Sequence, residues 1–137
     1  MILLVDTNII IDYWKPASKS VYETLDKVFD SNDIIIPGIV RAELLHGSRS
    51  EKNQKEMHDN LAEFDTLDLE GDDWEFLGDQ LYEYRTHVVT VPMSDAIIAC
   101  IALTYGIPVW SKDGHFDMMQ NVIPELQVVR TEELVSK

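Results

Sequence analysis

Apolar and polar positions along this chain follow two rhythms that take turns. Short solid apolar runs alternate with longer stretches in which apolar residues recur every three or four positions. The first run, Ile2 to Val5, stops at Asp6 and fits a strand buried on both faces. Thr7 or Asn8 can then cap a helix that continues through Ile9 to Trp14, where Lys15-Pro16 breaks it. Ser18 caps a second helix to about Asp30, with Val21, Leu25, Val28 and Phe29 on one face. Ile34 to Ile36 is a second apolar run. Pro37 and Gly38 end it and open the helix IVRAELLHG, which stops near Gly47.

The stretch from Glu51 to Asp65 is polar, with Met57, Leu61 and Phe64 at helical spacing, and predicts a surface helix. Thr66 to Leu69 alternates weakly, as a short strand does. Asp72-Asp73 starts a long helix with acids at its positive end, and Trp74, Leu77, Leu81 and Tyr84 form its apolar face. Val88 to Val91 is a β-branched connector. Ser94 caps an almost wholly apolar helix, DAIIACIALTYG, ended by Gly106; a helix without a polar face lies centrally in its domain. Ile107 to Trp110 is the next buried strand. After the segment SKDGHF, a short helix runs from Gly114 to about Val122. Leu126 to Val129 is a final strand, and the tail after Thr131 is frayed or short-helical. Alternation of this kind predicts one parallel sheet with helices on both faces. Without repeats or linkers, residues 1–137 form a single domain.

Composition narrows the class. Hydrophobic residues make up 45% of 137, enough for a real core. The single cysteine, Cys100, lies in an apolar run, as a small buried hydrophobe does, and allows no disulfide within the chain. That fits a reducing cytosol. No stretch is long enough to span a membrane, and the N-terminus has no signal-peptide pattern, so the expected location is cytoplasmic. Charge is more telling. Lys and Arg total 11 against 25 Asp and Glu, a net charge of -14. Such a surface repels nucleic acid over most of its area. Handling a polyanion then needs a local positive charge, from a metal ion or a basic partner, and a basic partner is steered toward it.

Among so many acids, only the oddly placed ones inform. Asp6 ends an apolar strand, at the edge where ligands sit in open parallel sheets, although Asp is also a common turn and capping residue. Glu43 follows Ile39 and Val40 by one turn, so the pattern puts a carboxylate on an apolar face; the plain alternative is a rim pairing with Arg41. Asp95 is in the first turn of the most apolar helix, where the dipole alone would explain it. Asp113 follows the strand IPVW and shares the sheet edge with Asp6, and Asp117, four residues on, faces the same way if the segment is helical; an ordinary polar loop is the plain alternative for both and the preferred one for Asp117. Carboxylates that converge without cations repel one another. Hard divalent cations such as Mg²⁺ or Mn²⁺ resolve this, and they also activate water and hold phosphate oxygens in phosphodiester cleavage.

The remaining signals are weaker. Glu43 and His46 match a Glu-x-x-His element, but the bundles that use it need two copies. His115 is near Asp113 and could touch substrate or metal, although a polar loop histidine is the plainer reading. No phosphate-binding glycine loop and no nucleophile elbow is present.

The stretches LLVDTNIIID, IVRAELLHG, MSDAIIACIA and VWSKDGHF resemble, in order and at similar separations, the motifs of PIN-domain ribonucleases, above all the VapC-type toxins of toxin–antitoxin pairs. The resemblance covers nearly the whole chain. It implies an α/β fold, a three-layer α/β/α sandwich with a parallel sheet of about five strands. It implies Mg²⁺- or Mn²⁺-dependent RNA cleavage that leaves a 5′-phosphate and a 3′-hydroxyl. Asp6, Glu43 and Asp95 match the family's first three acids, and Asp113 the more variable fourth, with Asp117 an extra acid nearby. Asn8 and Ser111 match polar positions that orient water or the acids, Ser111 standing where threonine is common. The resemblance further implies a homodimer silenced by a cognate antitoxin, in a possible higher assembly.

A phosphoacceptor module resembling response-regulator receivers is the rival, with Lys112 as its lysine. It lacks the acid pair after the first strand and the acid after the third, and gives Glu43 no role. A PIN-like domain without catalysis is a third reading, opposed by the presence of all the expected acids.

Overall fold

A computed structural model describes residues 1–135. The first strand, β1 (Ile2–Val5), runs through the middle of a four-stranded sheet. Leu3, Leu4 and Val5 are wholly buried, so both faces of β1 are covered, as the unbroken apolar run requires. Helices α1 (Thr7–Trp14) and α2 (Lys19–Ser31) lead to β2 (Asp33–Ile35), which pairs parallel to β1 with Leu3 opposite Ile34. Then come α3 (Gly38–His46), α4 (Glu51–Leu61), α5 (Asp73–Thr86) and α6 (Met93–Tyr105). The chain returns to the sheet on the other side of β1 as β3 (Val109–Trp110), with Val5 opposite Trp110. Helix α7 (His115–Val122) leads to β4 (Val128–Val129), and α8 (Thr131–Val135) follows. Residues beyond Val135 lie outside the described part.

The strand order is β2-β1-β3-β4, all parallel, flanked by helices. The chain therefore leaves β1 toward one side and comes back on the other. This reversal opens a crevice between the carboxyl ends of β1 and β3.

The expected fifth strand is the main correction to the fold. Thr66 to Leu69 forms no strand; only Asp65 makes a lone parallel bridge to Ile35, its carbonyl accepting from Ile36 N at 2.9 Å. The following segment is used otherwise. Asp68 Oδ1 accepts from Gly38 N at 2.9 Å and caps the start of α3, and the Asp68 carbonyl accepts from the Tyr105 hydroxyl at 3.2 Å. A Cβ at Gly38 would stand 2.7 Å from Asp68 Oδ1, so glycine is what lets that carboxylate approach.

Several helix starts also differ. Asp6 itself caps α1, its Oδ1 accepting from Thr7 N at 2.7 Å, where Thr7 or Asn8 was expected. Pro92 precedes α6, and Ser94 sits inside the first turn rather than at its cap. Ser18 does cap α2, accepting from Val21 N, and α4 is capped by Ser50, which accepts from Asn53 N. Gly106 ends α6 at φ +66°, a left-handed turn that glycine adopts without strain.

Helix α6 is the central one, with Ala96, Ile98, Ala99, Cys100 and Ile101 wholly buried. On α5 the buried positions are Leu77, Gln80 and Tyr84, whereas Trp74, expected on the apolar face, is 52% exposed. Trp110 of β3 is fully buried, and its ring N–H donates to Thr131 Oγ1 at 3.1 Å, tying the sheet to the start of α8.

Candidate active site

The crevice between β1 and β3 is where the unusual acids meet. Asp6 follows β1 directly and is 5% exposed. Its backbone N–H donates to the Trp110 carbonyl at 3.1 Å, so the sheet itself fixes its position. Its Oδ1 takes the Thr7 amide, and its Oδ2 takes the Ser111 hydroxyl at 2.7 Å. Ser111 follows β3 and is 1% exposed. Its Oγ also accepts from Asp113 N at 2.9 Å, and Asp113 Oδ1 accepts from His115 N at 2.9 Å. The loop after β3 is thus folded around Asp6 by its own polar side chains.

Asp95 reaches the same place from the first turn of α6. It is buried, at 8% exposure, and its Oδ2 lies 2.9 Å from His115 Nδ1, which is 3.1 Å from Asp113 Oδ1. Glu43 comes from α3 and accepts from the Thr7 hydroxyl at 3.3 Å. It is the exposed member of the group, not the buried acid its helical pattern suggested. Ile39 and Val40 turn inward, while Glu43 stands at the rim beside α1.

Charges in this cluster act on one another. Burial pushes the Asp6 carboxyl above its ordinary range; the Ser111 and Thr7 bonds pull it back, and Asp113 raises it again. Asp95 is raised by burial first, lowered by the His115 bond and raised further by Asp6 and Asp113. Glu43 is raised because nearby protein strips part of its hydration, then lowered by the Thr7 bond and raised by Asp6. His115 is raised, chiefly by its bond to Asp95.

The nearby basic side chains are spent elsewhere. Lys112 pairs with Asp12 of α1 at 2.6 Å, which leaves it no part in the receiver-like rival. Arg130 donates to the Ser111 and Asp113 carbonyls and pairs with Asp117. Asp117 is therefore engaged away from the cluster, while Asp113 is in it. Among the described residues, no lysine or arginine pairs with the carboxylates of Asp6, Glu43, Asp95 or Asp113. The donor set is oxygen-rich and short of positive charge, which fits a hard divalent cation. Asn8, two residues after Asp6, has a buried Oδ1 with no partner, a free acceptor of the same kind.

Pattern reading placed His115 near Asp113, between a loop residue and a contact to metal or substrate, and in the structure it bridges two acids. One member of this neighbourhood was missed. Arg130 left no signal, since its role depends on β4 lying beside β3.

Fold and site define an α/β domain with a carboxylate cluster at the switch point of a parallel sheet. The chain belongs to the PIN domain family, whose pattern matches residues 3–121. Its fold is that of VapBC-type toxin complexes. The structure of VapBC2 from Rickettsia felis bound to a promoter DNA fragment is 23% identical, with a TM-score of 0.77 over 95% of this chain and 98% of that one. VapBC-1 from nontypeable Haemophilus influenzae is 21% identical, TM-score 0.75, over 96% and 99%. DNA-bound VapBC from Salmonella typhimurium is 21% identical, TM-score 0.76, over 96% and 98%. No curated protein matches the sequence at a significant level.

Proposed function

We propose that the chain is a divalent-metal-dependent endoribonuclease and the toxin of a toxin–antitoxin pair. The observation that carries this is the gathering of Asp95, Asp113 and His115 within 4.8 Å of one another, in the loop that Ser111 ties to Asp6, with Glu43 at the rim and no lysine or arginine paired with these carboxylates among the described residues, in a chain of the PIN domain family. Oxygens of Asp6, Glu43, Asp95 and Asp113 would hold Mg²⁺ or Mn²⁺, with Asn8 and Ser111 in support, and an ion bound there would supply positive charge toward phosphate and activate a water.

The protein's own groups do the rest. Asp6 is held by Ser111 and by the α1 N-terminus, so its oxygens are positioned before substrate arrives. Arg130 and the Ser111 hydroxyl fix the loop that carries Asp113. Glu43, oriented by Thr7, is the acid open to solvent, and that position places it to accept the proton of the attacking water. The oxygen–phosphorus bond forms as the bond to the 3′-oxygen breaks, and the departing oxygen takes a proton from solvent, leaving a 5′-phosphate and a 3′-hydroxyl.

An acidic protein of charge -14 suits a basic antitoxin. The related solved complexes are named as toxin–antitoxin assemblies, some bound to DNA. A cleft lined by Tyr13, Trp14, Tyr22, Phe29 and Phe64 together with Asp30, Asn60 and Glu63 offers such a partner mixed aromatic and acidic contacts. Trp14 continues into a second groove that includes Glu43, which gives a bound segment a route to the site. A homodimer in the cytoplasm completes the proposal.

The test is RNA cleavage by the purified chain, with ends mapped. Mg²⁺ should support cutting, chelator should stop it, and D6N should lower the rate by about a hundredfold or more while keeping the fold. Wild-type turnover by a folded D6N variant would refute the assignment.

A further inference from the structure

The cluster is not all oxygen. Asp95, Asp113 and His115 each offer one ligand atom, and the three lie within 4.8 Å of one another. His115 Nδ1 is 2.9 Å from Asp95 Oδ2 and 3.1 Å from Asp113 Oδ1. Adjacent corners of an octahedron are separated by √2 times the bond length, about 3.0 Å for bonds of roughly 2.1 Å. The nitrogen thus already stands at the spacing of a neighbouring ligand to both carboxylates. Its backbone is pinned as well, because His115 N donates to Asp113 Oδ1. The residue is the first of α7, and its ring is partly open to the crevice, at 38% side-chain exposure.

We propose that His115 supplies a nitrogen ligand beside Asp95 and Asp113, so that this centre selects Mn²⁺ over Mg²⁺. This rests on the nuclease assignment above. The warrant is donor chemistry. Mg²⁺ keeps to oxygen ligands and waters, whereas imidazole suits later first-row metals, and Mn²⁺ accepts mixed oxygen and nitrogen sets more readily than Mg²⁺ does. Binding an ion through Nδ1 would release to solvent the proton that now links His115 to Asp95. The two states need no rearrangement of the backbone, since donor and acceptors are already at ligand separation.

The test is metal binding by the whole chain without RNA, with Mn²⁺ and Mg²⁺ as the probes. Calorimetry should give Mn²⁺ at least about tenfold tighter than Mg²⁺. Pulsed electron paramagnetic resonance of bound Mn²⁺ should show coupling to a ligand nitrogen. H115A and H115Q, checked by circular dichroism, should lose that coupling, weaken Mn²⁺ by about tenfold and leave Mg²⁺ within about twofold. Wild-type Mn²⁺ with no nitrogen coupling overturns the proposal, and that measurement needs no variant. Equal weakening of both ions in the variants also overturns it, since the ring would then only orient Asp95. If the chain cuts RNA with Mg²⁺ but bound Mn²⁺ shows no nitrogen, His115 alone is misassigned. If neither ion binds and no RNA is cut, the nuclease assignment falls with it.

Discussion

Ser111→Ala removes one oxygen atom from the least accessible part of the site. That oxygen donates to Asp6 Oδ2 at 2.7 Å and accepts from Asp113 N at 2.9 Å, with the residue 1% exposed. The first bond is charge-assisted and worth about 2 kcal/mol; the second is an ordinary bond worth about 1 kcal/mol. Neither lost partner is easily replaced by water at this depth. The variant should be less stable by about 3 kcal/mol. With an unfolding entropy of roughly 2.1 cal/mol/K per residue, the melting temperature should fall by about 10 °C.

The pH dependence has a fixed sign. The Asp6 carboxyl lies above its ordinary value of 3.8 in the folded chain, so protonating it favours folding. That contribution is complete below the unfolded value and is lost as pH rises through the folded one. The Ser111 bond lowers the Asp6 value, so deleting it raises that value further. The stability deficit of the variant should then be full at neutral pH and shrink as Asp6 becomes protonated. Thermal melts by circular dichroism in chelator, from pH 7.5 down to pH 4, measure this directly. Ser111→Thr, which keeps the hydroxyl, is the control. A neutral-pH melt within about 2 °C of wild type, or a deficit that does not change with pH, would refute the reasoning.

Other outcomes follow from the same geometry. Glu43→Gln should cut RNA cleavage by about a hundredfold yet shift stability by less than about 0.5 kcal/mol, because the residue is exposed; a large loss of stability in a melt would contradict its placement. Asp117→Asn should keep metal affinity and cleavage within about twofold, since its partner is Arg130; a loss comparable to that of Asp113→Asn would make Asp117 the fourth ligand instead. Gly38→Ala should displace Asp68 from the start of α3 and cost about 1 kcal/mol, and combining it with Asp68→Ala should add nothing further in denaturant titrations. Mg²⁺ at ten times its dissociation constant should stabilise the chain by about 1.4 kcal/mol, raising the melting temperature by about 5 °C, fully reversed by chelator.

Much of this was legible in the amino-acid order. Strands buried on both faces leave unbroken apolar runs, which is why Ile2–Val5 and the run ending at Trp110 could be placed. Helix α6 announced its central position through a lack of polar residues. The acids at strand ends followed from the same logic. What stayed hidden depends on distant neighbours. Thr66 to Leu69 has a strand's alternation, but Asp68 and its carbonyl were claimed by Gly38 and Tyr105, on elements far off in the chain. Glu43 looked inward by helical spacing, but α3 meets α1 at its rim, and Thr7 receives it there. His115 lacked any periodic context, and its meaning came only when α6 brought Asp95 beside it.

The cluster draws on the beginning, middle and end of the polypeptide, and the bond from Ser111 to Asp6 closes a span of 105 residues. Translation delivers β1 (Ile2–Val5) well before β3 (Val109–Trp110), the strand that completes its carboxyl edge. Until then Asp6 has no Trp110 carbonyl to hold its backbone and no serine to aim its side chain. A nascent polypeptide that has not yet reached β3 therefore carries no assembled centre, and the ribosome producing it meets that centre only after Ser111 has emerged.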